Sequence, residues 1–296
     1  MTAPLRGTQS LVGQMGWVFA RPSLTVLEVA WRWLFGGPLL LVCWIEAQKI
    51  LSELSSDAAG LSNLDPQNPW VAVRQLSGAW AIYQPHVVAV LHWLLPLAAL
   101  AWVIVSGLGR SLVLKRMEPQ LRFRPVAMIV LQAVWLAFFA AFCFCWLRSM
   151  QWVAATHITP DAEPDLVGFA AWAIFLSLGF FTAWALVSWI ASIAPLIMLL
   201  EDRSVFSALG QSLQLGKAFT SKLIEINMVM GIATLALIVV SMVLSAAPLP
   251  FSDQLGPDAL HSVCSMAIIF YIVASDYFQV VRLKGYLEFW KLYRSQ

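Results

Sequence analysis

Charged side chains are scarce in this sequence. Aspartate, glutamate, lysine and arginine together make up 11% of the 296 residues, whereas apolar residues make up 60%. A soluble protein needs roughly a quarter of its residues charged to keep its surface hydrated and dispersed. The composition therefore excludes a soluble globular domain and predicts a protein that is embedded in a lipid bilayer.

Residues that carry out catalysis or bind metals are also few and scattered. The four histidines, His86, His92, His157 and His261, are scattered over three regions, and no HExxH pair places two of them on one helix face. The sequence has no GxSxG elbow, no P-loop and no dinucleotide-binding glycine motif after a strand. We therefore expect no catalytic residue, no metal site, no cofactor and no enzymatic activity.

Long apolar runs are what the sequence does contain. Windows of about 20 residues almost without charge, long enough to cross about 30 Å of hydrocarbon as a helix, recur along it. Six lie at about residues 28–51, 86–108, 126–148, 167–194, 226–246 and 260–281. Amphipathic segments at about 8–20, 69–84 and 204–219 are expected to lie along the membrane interface. The predicted fold class is all-α: a single domain, residues 1–296, forming a polytopic membrane helical bundle of six transmembrane helices with short interfacial helices.

Two glycines lie at the end of the second apolar run. Gly107 and Gly109 flank Leu108 just before a basic loop. Glycine weakens a helix because it gives the backbone more freedom than any other residue. We expect the second helix to break at this point.

Lysine and arginine are distributed unevenly between the predicted loops. They concentrate at the N-terminus, in the loops after the second and fourth runs and in the C-terminal tail, whereas the other three loops are rich in acid. Because basic loops stay in the cytoplasm, this pattern places both termini there. We expect a multi-pass protein of the bacterial cytoplasmic (inner) membrane with the N-terminus and the C-terminus inside.

The segment PLIMLLEDRSVFSALGQSLQLGKAF, residues 195–219, interrupts the apolar pattern between the fourth and fifth runs. Pro195 cannot donate a backbone hydrogen bond to the preceding turn, so the fourth helix is expected to kink or end between Ala191 and Pro195. Ser204 follows a charged triplet and is a suitable N-cap for the amphipathic helix that comes next. The segment is predicted to form an elbow between two spans.

Within this elbow, Pro195, Glu201, Ser212, Gly216 and Phe219 follow a pattern that precedes the next span. The pattern resembles that of a broad family of poorly characterised bacterial six-helix membrane proteins, which includes the membrane domain fused to some glycerophosphodiester phosphodiesterases. The resemblance covers about residues 194–246 and implies a six-helix membrane domain. The metal-binding residues of the soluble phosphodiesterase domain have no counterpart here, so that activity is not implied.

Five ionisable residues lie inside or at the edges of the apolar runs, where a charge is costly. Glu28 and Arg32 stand four apart on one helix and can pair, and Arg110, Glu201 and Asp276 are expected at the same cytoplasmic-side depth. These side chains are candidates for one polar cluster that joins the first, second, fourth and sixth helices. Such a cluster provides either satisfied ion pairs at the interface or part of a path for a substrate or ion.

Two functions fit these features better than an intramembrane enzyme, which comes third. The one we favour is a non-catalytic membrane scaffold or lipid-contacting module; the alternative is a small transporter or permease component that uses the cytoplasmic-side polar cluster. A water-accessible cavity that reaches Asp276 or Arg32 would favour the transporter. Membrane lipids are the expected partners, other membrane proteins are a second class that the pattern leaves open, and the oligomeric state is open too. A net charge of +2 is too small to indicate nucleic acid.

Overall fold

The computed structural model describes residues 7–54, 69–158, 165–218, 220–246 and 257–294. Within these ranges the chain is almost entirely helical and contains no strand. The helices are α1 (Gly7–Phe19), α2 (Pro22–Glu53), α3 (Pro69–Met117), α4 (Pro125–His157), α5 (Leu166–Ala191), α6 (Ala194–Leu200), α7 (Val205–Ala218), α8 (Thr220–Ala246) and α9 (Pro257–Arg294).

Six segments of the described helices are long and apolar enough to cross a membrane. They are Pro22–Glu53, Gly78–Met117, Pro125–His157, Leu166–Ser188, Glu225–Val243 and Ser265–Glu288. Their apolar side chains mostly point outward: Phe175 and Phe181 of α5 are 67% and 69% exposed. Water does not tolerate so large an apolar surface, whereas lipid chains cover it. The predicted all-α, six-span membrane helical bundle is confirmed for the described residues.

The chain divides into two compact units. The smaller unit comprises Ala30–Ser106, and the larger unit comprises Met1–Val29 and Gly107–Gln296. The expectation of a single domain over residues 1–296 stays a prediction.

Aromatic side chains hold the smaller unit together. Trp102 of α3 packs against Trp31 and Phe35 of α2, with ring centroids 5.9 and 5.1 Å apart. The hydroxyl of Tyr83 donates to the backbone carbonyl of Leu54 at 3.3 Å. Contacts of this kind add to the burial of the rings themselves, so they stabilise the pairing of α2 with α3.

In the larger unit, α1 lies against α8 and α9. The ring of Trp17 contacts two cations, with the guanidinium of Arg21 4.0 Å and the Nζ of Lys284 4.4 Å from its centroid. The hydroxyl of Tyr277 donates to the backbone carbonyl of Met15 at 2.8 Å. The contact of Trp17 with Lys284 and the hydrogen bond of Tyr277 attach the N-terminal helix to α9.

The helix α3 is longer than the sequence predicts. It runs without a break from Pro69 to Met117, across the expected boundary between an interfacial helix at 69–84 and a span at 86–108. Pro85 lies inside it. A proline removes one backbone hydrogen bond. The helix nevertheless continues through Pro85, because lipid and neighbouring helices favour a continuous helix where apolar residues lie on both sides.

Gly107 lies within α3 at a close approach to α4. A Cβ atom at this position would lie 2.7 Å from Cγ1 and 2.9 Å from Cα of Ile129, closer than Cβ atoms come in real proteins. The expected break at Gly107 is wrong, because the missing side chain here allows two helices to pack rather than the chain to turn.

Pro195 interrupts the chain where the sequence predicts. α5 ends at Ala191, and α6 begins at Ala194 with Pro195 in its first turn, where a backbone N–H has no partner within the helix. Residues 194–199 of α6 are buried, and α6 packs against α7. The break therefore brings a short buried helix against the amphipathic helix that follows.

The helix α7 occupies the place of the interfacial helix predicted at 204–219. It spans Val205–Ala218, and Oγ of Ser204 accepts a hydrogen bond from the backbone N–H of Ser207 at 3.4 Å. The N-cap predicted at Ser204 is confirmed.

Candidate functional site

A cavity of about 500 Å³ lies within the larger unit. Its wall is built by α3, α4, α5, α6, α7 and α9, together with the turn between α5 and α6. A volume of this order accommodates a small ligand or part of a lipid molecule.

Most of the cavity wall is apolar. α4 contributes Leu131, Trp135 and Phe138, and α7 contributes Phe206 and Leu213. Phe138, Phe206 and Leu213 are also 59%, 75% and 54% exposed on the outside of the protein. These three side chains thus line the cavity and are also exposed on the protein surface, and we call them the apolar rim.

Two arginines line the same cavity from different helices, Arg110 from α3 and Arg282 from α9. Both guanidinium groups lie near enough to the buried phenol of Tyr286 to interact with it electrostatically. The cavity is amphipathic, with a cationic part and an apolar part.

The phenol of Tyr286 is held in place from α8. Its hydroxyl donates to Oδ1 of Asn227 at 2.6 Å, and both side chains are buried. A hydrogen bond between buried groups fixes the position of both, because neither can turn to water instead. The cationic part of the cavity is thus supported by a polar contact between α8 and α9.

Arg282 has unused hydrogen-bonding capacity. Its Nη2 donates to Oε1 of Gln279 on the same helix. Its Nε is buried and has no hydrogen-bond partner among the described residues. A buried N–H of this kind is costly unless water or a ligand accepts its hydrogen.

Two serines in the wall direct their hydrogens to the backbone. The hydroxyl of Ser192 donates to the carbonyl of Ser188, and that of Ser212 donates to the carbonyl of Leu209, each at 2.7 Å. Their oxygens can still accept hydrogen bonds. Donation to a ligand therefore falls to the arginines, to the amide of Gln132 and to the hydroxyl of Ser188, which also line the cavity.

The five predicted polar residues lie in several places. Arg110 lines the cavity, and Glu201 lines a separate groove. Glu28 and Asp276 are buried in the larger unit, 0% and 3% exposed, and line neither. Arg32 belongs to the smaller unit. A single cluster of all five stays a prediction.

The residues that carry the family resemblance also lie in different parts of the structure. Pro195 and Ser212 line the cavity, whereas Glu201 lies in the groove. Gly216 lies within α7, and Phe219 lies outside the described residues. The motif therefore contributes two of its positions to the cavity wall.

The groove that Glu201 lines is polar and has a volume of about 730 Å³. The carboxylate of Glu201 lies 3.5 Å from Nε of Arg203, and Nζ of Lys291 donates to Glu118 at 2.6 Å. The side chains of Arg203 and Lys291 are 53% and 43% exposed. Exposed ion pairs contribute little free energy, so we interpret the groove as a solvated surface between connected segments.

The sequence does not predict Arg282, Tyr286 or Asn227 as site residues. Arg282 is counted there only among the basic residues of the tail. One signal was present. Arg282 and Tyr286 are four residues apart and so share a helix face, and Asn227 opens an otherwise apolar run. Their neighbours from α3 and α5 are identified only by the fold.

No group of three or more His, Cys, Asp or Glu side chains that could hold a metal ion occurs within the described ranges. Comparison of the chain with protein-family models, with curated proteins and with solved structures finds no match. The resemblance of residues 194–246 to the six-helix family therefore stays a hypothesis, and the function has to be argued from the cavity.

Proposed function

We propose that this protein is a non-catalytic, lipid-contacting module of the bacterial inner membrane, and that the cavity of the larger unit holds part of a lipid molecule. The cavity itself carries the proposal. It offers about 500 Å³ between apolar side chains of α4 and α7, and its apolar rim lies on the surface that lipid covers. Acyl chains are abundant at that surface and match an apolar wall.

The choice of membrane and the orientation rest on the sequence. The basic residues of the loops after the second and fourth runs place these loops, and both termini, in the cytoplasm. The family resemblance favours a bacterial protein. Lipids are then the first class of partner, other membrane proteins are the second, and nucleic acid is not expected.

A small transporter or permease component has less support. A path for a charged substrate is expected to reach a buried acid such as Asp276. Asp276 is 3% exposed and lines neither the cavity nor the groove. The cavity leads instead to arginines and to apolar side chains, which suits a lipid.

A lipid held in the cavity should stay bound when the full chain is extracted in a mild detergent. We expect native mass spectrometry to detect the lipid on the wild type and not on Val187→Trp, which fills the cavity from α5. Val239→Trp is the matched control, because Val239 of α8 is 51% exposed, close to the 43% of Val187, and does not line the cavity. A wild type without lipid, or equal lipid on both variants, contradicts the proposal.

The absence of catalysis has its own test. Phospholipids incubated with the purified protein and then extracted should be recovered unchanged by chromatography and mass spectrometry. Hydrolysis or transfer products that depend on the protein would contradict the non-catalytic part of the proposal alone.

A further inference from the structure

The cationic part of the cavity identifies the kind of lipid. We infer that the cavity binds a phosphate-bearing anionic lipid, with its phosphate group at Arg110 and Arg282 and its acyl chain along the apolar wall of α4 and α7. The inference rests on the proposed function and adds the headgroup to it.

The wall of the cavity carries positive charge. Among the described residues that line the cavity, Arg110 and Arg282 carry charge and none is acidic. A cationic wall with apolar surroundings favours an anion more strongly than an exposed cation does, because little water screens the interaction.

Arg282 is held in position by its own helix. Gln279 binds one terminal nitrogen of its guanidinium, and the buried Nε has no partner among the described residues. The planar donors of arginine match the oxygens of a phosphate, which can accept from several N–H groups together. Because the Nε atom is buried, a phosphate in the cavity would bind the terminal N–H groups of Arg282.

The apolar runs of the second and sixth spans end at about residues 108 and 281, so Arg110 and Arg282 lie just beyond them. Both arginines therefore lie within about two helical turns of a span end. Headgroup phosphates lie at the membrane surface, just beyond the hydrocarbon, so the cationic part is at a suitable depth.

The apolar wall decides between a lipid and a free phosphate ester. A phosphate without an acyl chain would leave Leu131, Trp135 and Leu213 unoccupied in a cavity of about 500 Å³. Burial of a hydrocarbon chain against these side chains is favourable, whereas a soluble phosphate ester gains nothing there.

Competition on the full chain in nanodiscs tests the inference. The probes are phosphatidylglycerol, which carries an anionic phosphate, diacylglycerol, which has the same chains without phosphate, and soluble glycerol phosphate. We expect the wild type to prefer phosphatidylglycerol to diacylglycerol by about 10-fold or more. Arg282→Gln should reduce phosphatidylglycerol binding by about 10-fold and leave diacylglycerol binding unchanged.

Arg116→Gln is the matched control, because Arg116 is an exposed arginine of α3 that lines a different pocket. It should keep the preference of the wild type. Arg282→Lys, which keeps the charge but not the planar donors, should give an intermediate preference. The comparison of the two lipids on the wild type remains decisive even where a variant fails to fold.

The outcomes separate the inference from the proposed function. Equal binding of phosphatidylglycerol and diacylglycerol by the wild type overturns the headgroup inference and leaves the lipid-contacting function intact. Binding of neither lipid overturns both. Glycerol phosphate binding as tightly as phosphatidylglycerol identifies a free phosphate ester as the ligand and also overturns the inference.

Discussion

Nη1 of Arg122 donates to a carboxylate oxygen of Asp202 at 2.6 Å, and this bond joins the connection between α3 and α4 to the turn between α6 and α7. Arg124 donates to the other oxygen at 2.7 Å. The backbone of Asp202 has a φ of 56°, in the left-handed region that aspartate tolerates better than β-branched residues do. Asp202 thus combines ion-pair contacts with a left-handed backbone conformation.

Two substitutions of Asp202 separate these contributions. Asp202→Asn removes the charge, and because Arg122 is 73% and Asp202 46% exposed, we expect a cost of about 1 kcal/mol or less for each pair. Asp202→Val also places a β-branched residue at a positive φ, which should cost about 1 to 2 kcal/mol more. Thermal unfolding in detergent should rank the wild type above Asp202→Asn, and Asp202→Val last. Equal melting temperatures for the two variants would rule out the backbone contribution.

Gly107→Ala tests the close packing of α3 on α4. The added methyl group would lie 2.7 Å from Cγ1 of Ile129, so one helix has to move, and we expect a loss of about 1 to 3 kcal/mol. Gly179→Ala is the control, since a Cβ at this position on α5 meets nothing within 4 Å. It should be neutral or stabilise the protein by up to about 1 kcal/mol through helix propensity. A neutral Gly107→Ala would show that the helices are not in tight contact there.

Tyr286→Phe tests the hydrogen bond from α9 to Asn227 of α8. The change removes one buried hydrogen bond while it keeps the ring, and we expect a loss of about 0.5 to 2 kcal/mol in unfolding experiments. Tyr271→Phe on the same helix is the control, because no hydrogen bond of the Tyr271 hydroxyl occurs among the described residues. Equal melting temperatures for the two variants would argue against a stabilising role of this bond.

Titration of Asp165 should make the local stability of the start of α5, which lies outside the spans, depend on pH. Oδ1 of Asp165 accepts a hydrogen bond from the backbone N–H of Gly168 at 2.9 Å, and Oδ2 lies 3.1 Å from Nδ1 of His157. The Gly168 N–H first, and the His157 side chain second, lower the pKa of Asp165. Because the pKa is lower in the folded than in the unfolded chain, the stabilisation is complete above the ordinary value of about 3.9 and is lost as the pH falls through the lowered one.

Hydrogen exchange measures this effect at the Gly168 amide. Its protection, corrected for the intrinsic exchange rate, should fall in acid for the wild type. Asp165→Asn still offers an acceptor oxygen but does not titrate, so its protection should not change over the same range. The same acid dependence in both proteins would exclude Asp165 as the titrating group.

Reporter fusions test the orientation. Reporters placed after Lys115 and after Lys217, in the two basic loops, should both be cytoplasmic. A reporter placed after Ile158, beyond the end of α4, is the opposite-side control and should be periplasmic. A periplasmic signal at either lysine would overturn the orientation with both termini inside.

Sequence patterns predict the features of this fold that depend on local interactions. Pro195 marks the end of α5 and Ser204 caps α7, because both act through backbone hydrogen bonds within one turn of chain. The spans follow from apolar runs, since a helix in lipid satisfies its own backbone and faces the lipid with apolar side chains. The fold class is therefore predictable from the sequence.

Features that depend on packing are less predictable. Pro85 and Gly107 weaken helices in isolation, yet both lie within α3, where lipid-facing residues and contact with α4 outweigh the local preference. Arg110 and Arg282 line one cavity in the fold, and nothing in the spacing of the chain relates them. The sequence indicates which residues are unusual in a membrane, and the fold determines which of them meet.

The apolar rim of Phe138, Phe206 and Leu213 has a consequence for how the cavity fills. Under the proposed function, a lipid that enters past these side chains would stay in the bilayer, arrive by diffusion in two dimensions and keep its hydrocarbon tail out of water. Occupancy then follows the mole fraction of that lipid in the membrane rather than any aqueous concentration. A change in membrane composition alone would be enough to load or empty the protein.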